Sequence, residues 1–247
     1  MKLLVDIGNS RIKWAQQYGA SLKSCGASPY NKNDPAQAIR QFWEMLPTPS
    51  QVFISNVAGQ NVANELSAFV DSLWAITPTF LAVSREAAGV MNGYDDISQL
   101  GVDRWLAMIS AWHSHKSSVC VVDCGTALTV DVVTVSGQHV GGFIVPGLFL
   151  MSDILNNRTE QINSAPSYKP SLDPGRNTRD CISHGALMAI TAFITNVFDN
   201  VVRAHGKDSR CIITGGNAEE IKTLLEDNID YDANLVLNGI ALLSRNL

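Results

Sequence analysis

Apolar and polar positions at the start of the chain predict a strand, a turn and a second strand. Residues 3–6 form an apolar run that ends on a carboxylate, and residues 12–16 continue as the return strand. Gly8 and Asn9 between them suit the positive φ of a tight hairpin turn. The pattern therefore predicts a hairpin that carries Asp6 beside its turn.

Helical and strand patterns alternate through the rest of the first half. Asp34 and Pro35 are typical of a helix start, and the apolar repeat that follows them ends at Pro47. This alternation is typical of helices packed on a parallel or mixed sheet. The predicted elements are a helix over 35–46, a strand over 52–57, a helix over 62–74, a strand over 80–83 and a helix from Asp103.

The opening pattern returns in the second half. LLVDIGNSRIKW at 3–14 is echoed by CVVDCGTALTVD at 120–131, which aligns Asp6 with Asp123 and Gly8 with Gly125. A single repeat of this length predicts two similar α/β domains, over residues 1–116 and 117–247. The second is predicted to contain strands over 119–123, 127–135 and 139–145, helices over 148–162 and 180–203, a strand over 211–214 and a helix over 218–226.

Composition limits the class of protein. Of 247 residues, 46% are hydrophobic and 17% charged, which excludes a mainly disordered chain. The net charge is -5 without a basic stripe, so we expect no nucleic-acid partner. The longest apolar stretch is broken by Pro146, and the N-terminal apolar run is too short for a signal peptide. We therefore expect a cytoplasmic protein that does not span a membrane.

Two DxG turns from duplicated domains, facing one another across a cleft, can hold a polyphosphate. Glycine lets backbone N–H groups approach phosphate oxygens, and each carboxylate can hold a cation or its water shell. Ser10 and Thr126 add hydroxyl donors, and Lys13 adds a positive charge. The sequence has neither a Walker A loop nor a GxGxxG motif, so a nucleotide would bind through these turns.

Three further motifs each allow two interpretations. Asp103 in GVDR is either the N-cap of the next helix or a carboxylate that accepts a substrate proton, with Arg104 holding an anionic group. GGFIVPG at 141–147 is either a strand ending in a turn or part of the site. The Gly215 and Gly216 pair suits an adenine or ribose lying against the backbone, although many strand-to-helix turns use such a pair. Neither the five cysteines nor the five histidines are spaced for a transition-metal site.

The motifs in their order resemble the type III pantothenate kinases, a family of the acetate and sugar kinase, Hsp70 and actin superfamily. The residues that carry the resemblance are DIGNSRIK, NGYDDISQLGVDR, DCGTALTVD, GGFIVPG, RNT at 176–178, ITGG and LVLNGIALL. The resemblance implies duplicated actin-like (ribonuclease H-like) α/β domains with mixed central sheets and an interdomain cleft. It also implies ATP-dependent phosphorylation of pantothenate, the first step of coenzyme A biosynthesis.

The same resemblance assigns roles to individual residues. It implies that Asp103 is the proton acceptor, that Asp123 holds a monovalent cation (K⁺ or NH₄⁺), and that Mg²⁺ enters with ATP near Asp6 through water. It also implies a homodimer in which the second subunit supplies Thr178. The ATP-binding set is Asp6, Gly8, Asn9, Ser10, Lys13, Gly125, Thr126, Gly215 and Gly216, and the pantothenate-binding set is Tyr94, Gly101, Val102, Asp103, Arg104 and Thr178.

Two rival functions stay open on sequence alone. A phosphohydrolase of the superfamily would use water in place of the alcohol, and Tyr94 with GVDR argues against it. A non-catalytic accessory factor for transcription could keep the fold. Such a factor has no need to keep Asp6, Asp103 and Asp123 together, so the intact set favours the enzyme.

Overall fold

The structure is a computed structural model that describes residues 1–19, 21–158 and 170–246. It divides into two compact units. The first contains Met1–Ser110 and Asn234–Leu247, and the second contains Ala111–Ala233. These bounds differ from the predicted division after residue 116, because the C-terminal helix packs on the sheet of the first unit.

The first unit is built on a five-stranded mixed sheet. Its strands are β1 (Lys2–Ile7), β2 (Arg11–Tyr18), β3 (Ser21–Pro29), β4 (Gln51–Asn56) and β5 (Thr79–Phe80), in the order β3-β2-β1-β4-β5. The first three are antiparallel, and β4 and β5 run parallel to β1. A separate small hairpin pairs β6 (Glu86–Ala87) with β7 (Val90–Met91).

The second unit repeats this topology. Its strands are β8 (Val119–Cys124), β9 (Ala127–Val133), β10 (His139–Pro146), β11 (Arg210–Thr214) and β12 (Ile229–Tyr231), in the order β10-β9-β8-β11-β12. Three antiparallel strands are again followed by two parallel ones. The predicted α/β class and the predicted duplication are both confirmed.

Two strands that the sequence pattern did not predict complete these sheets. The β3 segment, SLKSCGASP, has no regular alternation, and its register against β2 shifts between Trp14 and Ala15. Gly26 is the residue that permits this, because a Cβ there would lie 2.9 Å from the Trp14 ring. At the other sheet's edge, β12 is only 3 residues long. Both strands lie at an edge, where pairing rather than burial defines them.

Helices cover the sheets. They are α1 (Arg40–Trp43), α2 (Gln60–Trp74), α3 (Val102–His115), α4 (Leu148–Arg158), α5 (Thr178–His205), α6 (Ala218–Lys222) and α7 (Leu235–Leu243). The helix predicted over 35–46 is wrong in length, since residues around α1 form turns with short-range bonds such as Ile39 N–H to Ala36 O. Its predicted core residues Ile39 and Trp43 are nevertheless fully buried. Residues 159–162 of the predicted 148–162 helix lie outside the described residues.

The long, apolar α5 helix packs within the second unit. With 28 residues and a hydropathy of 1.5 in its most apolar window, it is the one described helix long and apolar enough to cross a membrane. It packs on the sheet of its own unit, where Ala186, Ile190 and Ile194 are core residues. The apolar face of this helix that contains these residues is therefore internal to the second unit. Exposed apolar residues lie instead on β10 and α4, with Phe143, Ile144 and Phe149 about half exposed.

Candidate functional site

The first turn, residues 8–10, joins β1 to β2 as the sequence predicted. The Gly8 N–H donates to Arg11 O at 3.0 Å, and Ile7 pairs with Ile12 next to the turn. Both isoleucines are fully buried, so the apolar pattern fixes the register and leaves Asn9 and Ser10 exposed at the tip. The proposed phosphate-binding residues of the first half thus lie on one hairpin.

Asp6 and Lys13 are direct cross-strand partners on this hairpin. Such partners project from the same face of the sheet with Cβ atoms about 5 Å apart, so the acidic and the basic side chain share one face. Asp6 is only 8% exposed. On its other side it pairs with Ser55 of β4, whose buried hydroxyl has no hydrogen-bond partner among the described residues. Ser55 was missed from the sequence because nothing in its local pattern shows that β4 lies beside β1.

The first turn receives support from a segment that sequence reasoning did not single out. The Tyr30 hydroxyl donates to Gly8 O at 2.8 Å, and Lys32 Nζ donates to Asn9 Oδ1 at 2.9 Å. Burial raises the pKa of Tyr30, so its hydroxyl stays a donor at neutral pH. We call Tyr30 and Lys32 the brace.

The predicted pantothenate residues of the first unit come together around Arg104. Its Nη1 donates to the Tyr94 hydroxyl at 3.0 Å, and its guanidinium carbon lies 5.6 Å from the centre of the Tyr94 ring. Arg104 is only 8% exposed. The site therefore holds a buried, oriented cation of the kind that binds an anionic substrate group.

Two residues that were not predicted hold the Tyr94 backbone. Asn92 Oδ1 accepts from the Tyr94 N–H at 2.9 Å, and Arg85 Nη1 donates to Tyr94 O at 2.9 Å. Asn92 is buried, and its own N–H donates to Arg85 O at 2.9 Å. Asn92 was present in the quoted motif, but the small β6/β7 hairpin that brings Arg85 to it could not be inferred from the spacing.

Asp103 lies in the first turn of α3, one residue after the helix begins, so the N-cap interpretation is wrong. Its Oδ1 accepts from the Arg104 N–H at 2.8 Å. A Cβ at Gly101 would lie 2.5 Å from this same oxygen, so Gly101 provides the space that the carboxylate occupies. A helix N-terminus favours the ionised carboxylate, which is the form that accepts a proton.

The second turn, residues 123–126, occupies the matching position in the second unit. Asp123 pairs with Thr129 across β8 and β9 and with Thr214 across β8 and β11. Gly147 N–H donates to Thr126 O at 3.0 Å, which joins the end of GGFIVPG to the turn. That motif therefore belongs to the local structure of the second turn.

Glycines surround the Asp123 carboxylate. A Cβ at Gly215 would lie 2.5 Å from Asp123 Oδ1, and one at Gly125 would lie 3.3 Å from it. Gly215 has φ +102, a left-handed conformation that favours glycine. Gly216 meets nothing within 4 Å. The backbone at Gly215 and Gly125 comes this close to the carboxylate because these positions have no side chain.

The residues at Asp123 and at Asp6 each fit the ion that was predicted there. At Asp123, a single carboxylate with glycine backbone packed close beside it suits a monovalent cation. At Asp6, one carboxylate suits Mg²⁺ that is otherwise held by substrate phosphates and water. Within residues 1–19, 21–158 and 170–246, no three His, Cys, Asp or Glu side chains group to hold a metal by themselves.

Thr178 opens α5 and is exposed. The Asn177 side chain caps this helix by accepting from the Asp180 N–H at 2.9 Å. Of the predicted pantothenate set, Thr178 alone belongs to the second unit.

The thiol of Cys124, next to Asp123, is not a second reactive group of the second turn. Burial, together with the charge of Asp123, raises the pKa of Cys124 far above its usual range. The thiol therefore stays protonated at neutral pH, and the carboxylate carries the charge of the second turn.

Comparison with known proteins gives a consistent family. The family model for type III pantothenate kinase matches residues 2–200. A type III pantothenate kinase of Nitrosococcus oceani is 35% identical over 250 residues, covering 99% of this chain and 94% of that protein. A protein of the same name from Aromatoleum aromaticum is 36% identical over 245 residues, covering 99% and 98%.

Solved structures agree on the fold. A Campylobacter jejuni protein described as a Baf family transcriptional activator has a TM-score of 0.60 at 24% identity, with 99% of this chain and 100% of that chain covered. A Sinorhizobium meliloti protein described as a 2-dehydro-3-deoxygalactonokinase has a TM-score of 0.57 at 12% identity, with 100% and 97% covered. At these identities the likeness concerns the fold alone, which is the duplicated actin-like arrangement.

Proposed function

The chain belongs to the type III pantothenate kinases, and from this premise we propose which of its residues carry the reaction. The protein is a kinase that transfers a phosphoryl group from ATP to pantothenate, the first step of coenzyme A biosynthesis. The transcriptional alternative is not favoured, because the likeness to the Campylobacter jejuni protein described as a transcriptional activator supports only the fold.

The pairing of buried Arg104 with half-buried Tyr94, with Asp103 beside it, is the observation that supports the substrate site. We assign Arg104 to the pantothenate carboxylate, since it is a buried cation held against Tyr94 and a guanidinium matches the geometry of a carboxylate. Asp103 accepts the proton of the primary hydroxyl as that oxygen attacks the terminal phosphorus of ATP. The attacking O–P bond forms, the bond to the leaving ADP oxygen breaks, and the proton goes to Asp103.

ATP contacts are assigned to each turn. In the first unit, Asn9 and Ser10 offer exposed donors and Lys13 a positive charge, with Gly8 allowing the backbone to approach. In the second unit, Gly125, Thr126, Gly215 and Gly216 are the proposed contacts. Mg²⁺ bound to ATP supplies charge neutralisation at the phosphates, and Asp6 is the proposed residue that orients its water shell.

Asp123 is the proposed ligand of a monovalent cation. The close approach of the Gly215 and Gly125 backbone to its carboxylate supports this, and phosphate charge explains the need for a cation in a chain with a net charge of -5. Turnover is expected to rise when K⁺ or NH₄⁺ replaces Na⁺. Equal rates in all three salts would remove the assignment.

A homodimer is proposed from the exposed apolar residues of β10 and α4. Phe143 and Ile144 are 51% and 60% exposed on an edge strand, and Phe149 is 48% exposed on the adjoining helix. Unpaired apolar edge strands are normally covered. The exposed Thr178 fits a role toward the pantothenate of a second subunit, as the resemblance implied.

Subunit mixing tests this dimer. Inactive Asp103→Asn chains and inactive Thr178→Trp chains are allowed to exchange. A mixed dimer would contain one site without either lesion, so part of the activity should return. A fully active monomer in sedimentation, or exchange without recovery, contradicts the shared site.

The decisive test of the function is ATP consumption with and without pantothenate. Consumption that depends on pantothenate, with 4'-phosphopantothenate identified by mass, is the expected result. Equal ATP hydrolysis in both cases would indicate the phosphohydrolase instead. Family membership also supports a cytoplasmic location, which cell fractionation can check.

A further inference from the structure

The first turn is held by two side chains from elsewhere in the chain, Tyr30 and Lys32 of the brace. We propose that the brace is part of the nucleotide site, with Tyr30 as a positioning residue and Lys32 as an additional cationic contact for the ATP phosphates. The inference rests on the proposed ATP site at residues 6–13.

Tyr30 acts through one peptide group. The Gly8 carbonyl accepts the Tyr30 hydroxyl at 2.8 Å, and this carbonyl shares its peptide plane with the Asn9 N–H. In a trans peptide the C=O and the N–H point in opposite directions. Because Tyr30 holds the carbonyl, the Asn9 N–H is directed away from Tyr30. A backbone donor for phosphate is thereby set before ATP binds.

The brace is itself anchored on both sides. Tyr30 packs against the core of the first unit. Beyond Lys32, the Asn33 N–H donates to Asn31 Oδ1 at 3.0 Å and the Asp34 N–H donates to Asn31 O at 3.1 Å. This short turn fixes the backbone that carries Lys32, so its ammonium stays near the first turn.

Charge gives Lys32 its role. Lys13 is the cross-strand partner of Asp6 on the same face of the hairpin, so the nearby carboxylate offsets part of its attraction for phosphate. Lys32 is exposed and interacts with a neutral amide oxygen, Asn9 Oδ1, at 2.9 Å. Exchanging this acceptor for a phosphate oxygen replaces a neutral partner with a charged one, and such bonds are stronger. The flexible Lys side chain can make the exchange without movement of the backbone.

Lys32→Gln tests the charge. At about 0.02 M salt, where screening is weak, the KM for ATP is expected to rise roughly five- to tenfold, with the KM for pantothenate unchanged. Because the Debye length shrinks to about 4 Å near 0.5 M salt, the difference from wild type should fall toward onefold there. Lys32→Arg keeps the charge and should restore most of the affinity.

Tyr30→Phe tests the positioning role. Loss of one hydrogen bond predicts a KM for ATP raised about three- to tenfold, with kcat and the KM for pantothenate nearly unchanged and no dependence on salt. Tyr18→Phe is the matched control, because that exposed hydroxyl donates to the nearby Gln16 side chain, at 3.1 Å, and not to the first turn. The control should behave as wild type.

Three outcomes would overturn the inference. They are an unchanged KM for ATP in both brace variants, an equal rise in the KM of both substrates, and a Lys32→Gln effect that is independent of salt. The Asp6→Asn variant distinguishes failure of the brace proposal from failure of the proposed ATP site. If that variant loses ATP affinity while the brace variants do not, only the brace proposal fails, whereas an unaffected Asp6→Asn contradicts the site.

Discussion

The two DxG turns sit at matching places in two sheets of the same topology, yet they are supported in different ways. The first turn is held by side chains, since Tyr30 and Lys32 donate to Gly8 and Asn9. The second turn is held by close backbone packing, in which Gly215 and Gly147 approach atoms of residues 123–126. Duplication preserved the hairpin and its carboxylate, whereas the support was built separately in each unit.

This difference predicts opposite sensitivities. Removing side-chain atoms should weaken the first turn, while adding a single methyl group should damage the second. Gly8 illustrates the contrast, because a Cβ there meets only Arg11 O, at 3.4 Å. The glycine beside the first carboxylate therefore has room that Gly215 lacks.

The largest effect is expected in the first unit, at its proposed proton acceptor. Asp103→Asn keeps an oxygen for the Arg104 N–H but cannot accept the substrate proton, so kcat should fall about 10²- to 10⁴-fold. The unfolding temperature and ATP affinity should stay near wild type. Asp96→Asn is the control, because its side chain caps a short helix through Ser98 and an amide oxygen can do the same. Near-normal turnover of Asp103→Asn would refute the role.

A stability effect of the next size is expected in the second sheet. There Asp131 Oδ1 lies 3.1 Å from His139 Nε2, and both residues are buried. In the first sheet the neutral Gln17 is buried, and its Oε1 accepts from Ser244 Oγ at 3.1 Å. Asp131→Ala should lower the free energy of unfolding by about 3 kcal/mol, because the buried His139 Nε2 loses its hydrogen-bond partner. Gln17→Leu should cost about 1 kcal/mol. Urea denaturation measures both, and equal costs would contradict the contrast.

Gly215→Ala comes next, with an expected cost of about 2 kcal/mol from crowding and a positive φ. The added Cβ would also displace the Asp123 carboxylate. Any stimulation of turnover by K⁺ should therefore decrease together with the free energy of unfolding. Gly216→Ala is the matched control, since a Cβ there meets nothing within 4 Å. If Gly216→Ala lowers the free energy of unfolding as much as Gly215→Ala does, crowding against Asp123 is not the cause.

The smallest effect is expected for Gly8→Ala. Its Cβ contact is ordinary van der Waals distance, so the free energy of unfolding should change by less than about 1 kcal/mol. Any larger fall in ATP affinity would then report the approach of phosphate to the backbone rather than misfolding. If Gly8→Ala lowered the free energy of unfolding as much as Gly215→Ala, the inferred difference between the two turns would be contradicted.

The sequence predicted the strongly patterned elements and the local parts of the site. Residues 3–6 and 119–123 read as strands because burial on a sheet demands apolar residues there, and β1 and β8 confirm them. The hairpin register follows from the same pattern, which explains why Asp6 and Lys13 were correctly placed on one hairpin. Where a motif is contiguous, as in residues 101–104, its parts had to lie together.

Tertiary structure alone decided the contacts between distant segments. The bond from Tyr30 to Gly8 joins residues 22 positions apart, and no period or composition marks either as a partner. The edge strand β3 and the placement of α7 on the first sheet likewise depend on which surfaces remain to be covered once the core forms. Local patterns record which face of an element is buried, but not the identity of its neighbour, because hydrophobic burial is non-directional. Hydrogen bonds and close packing then select the partner, and these depend on coordinates that the sequence pattern does not contain.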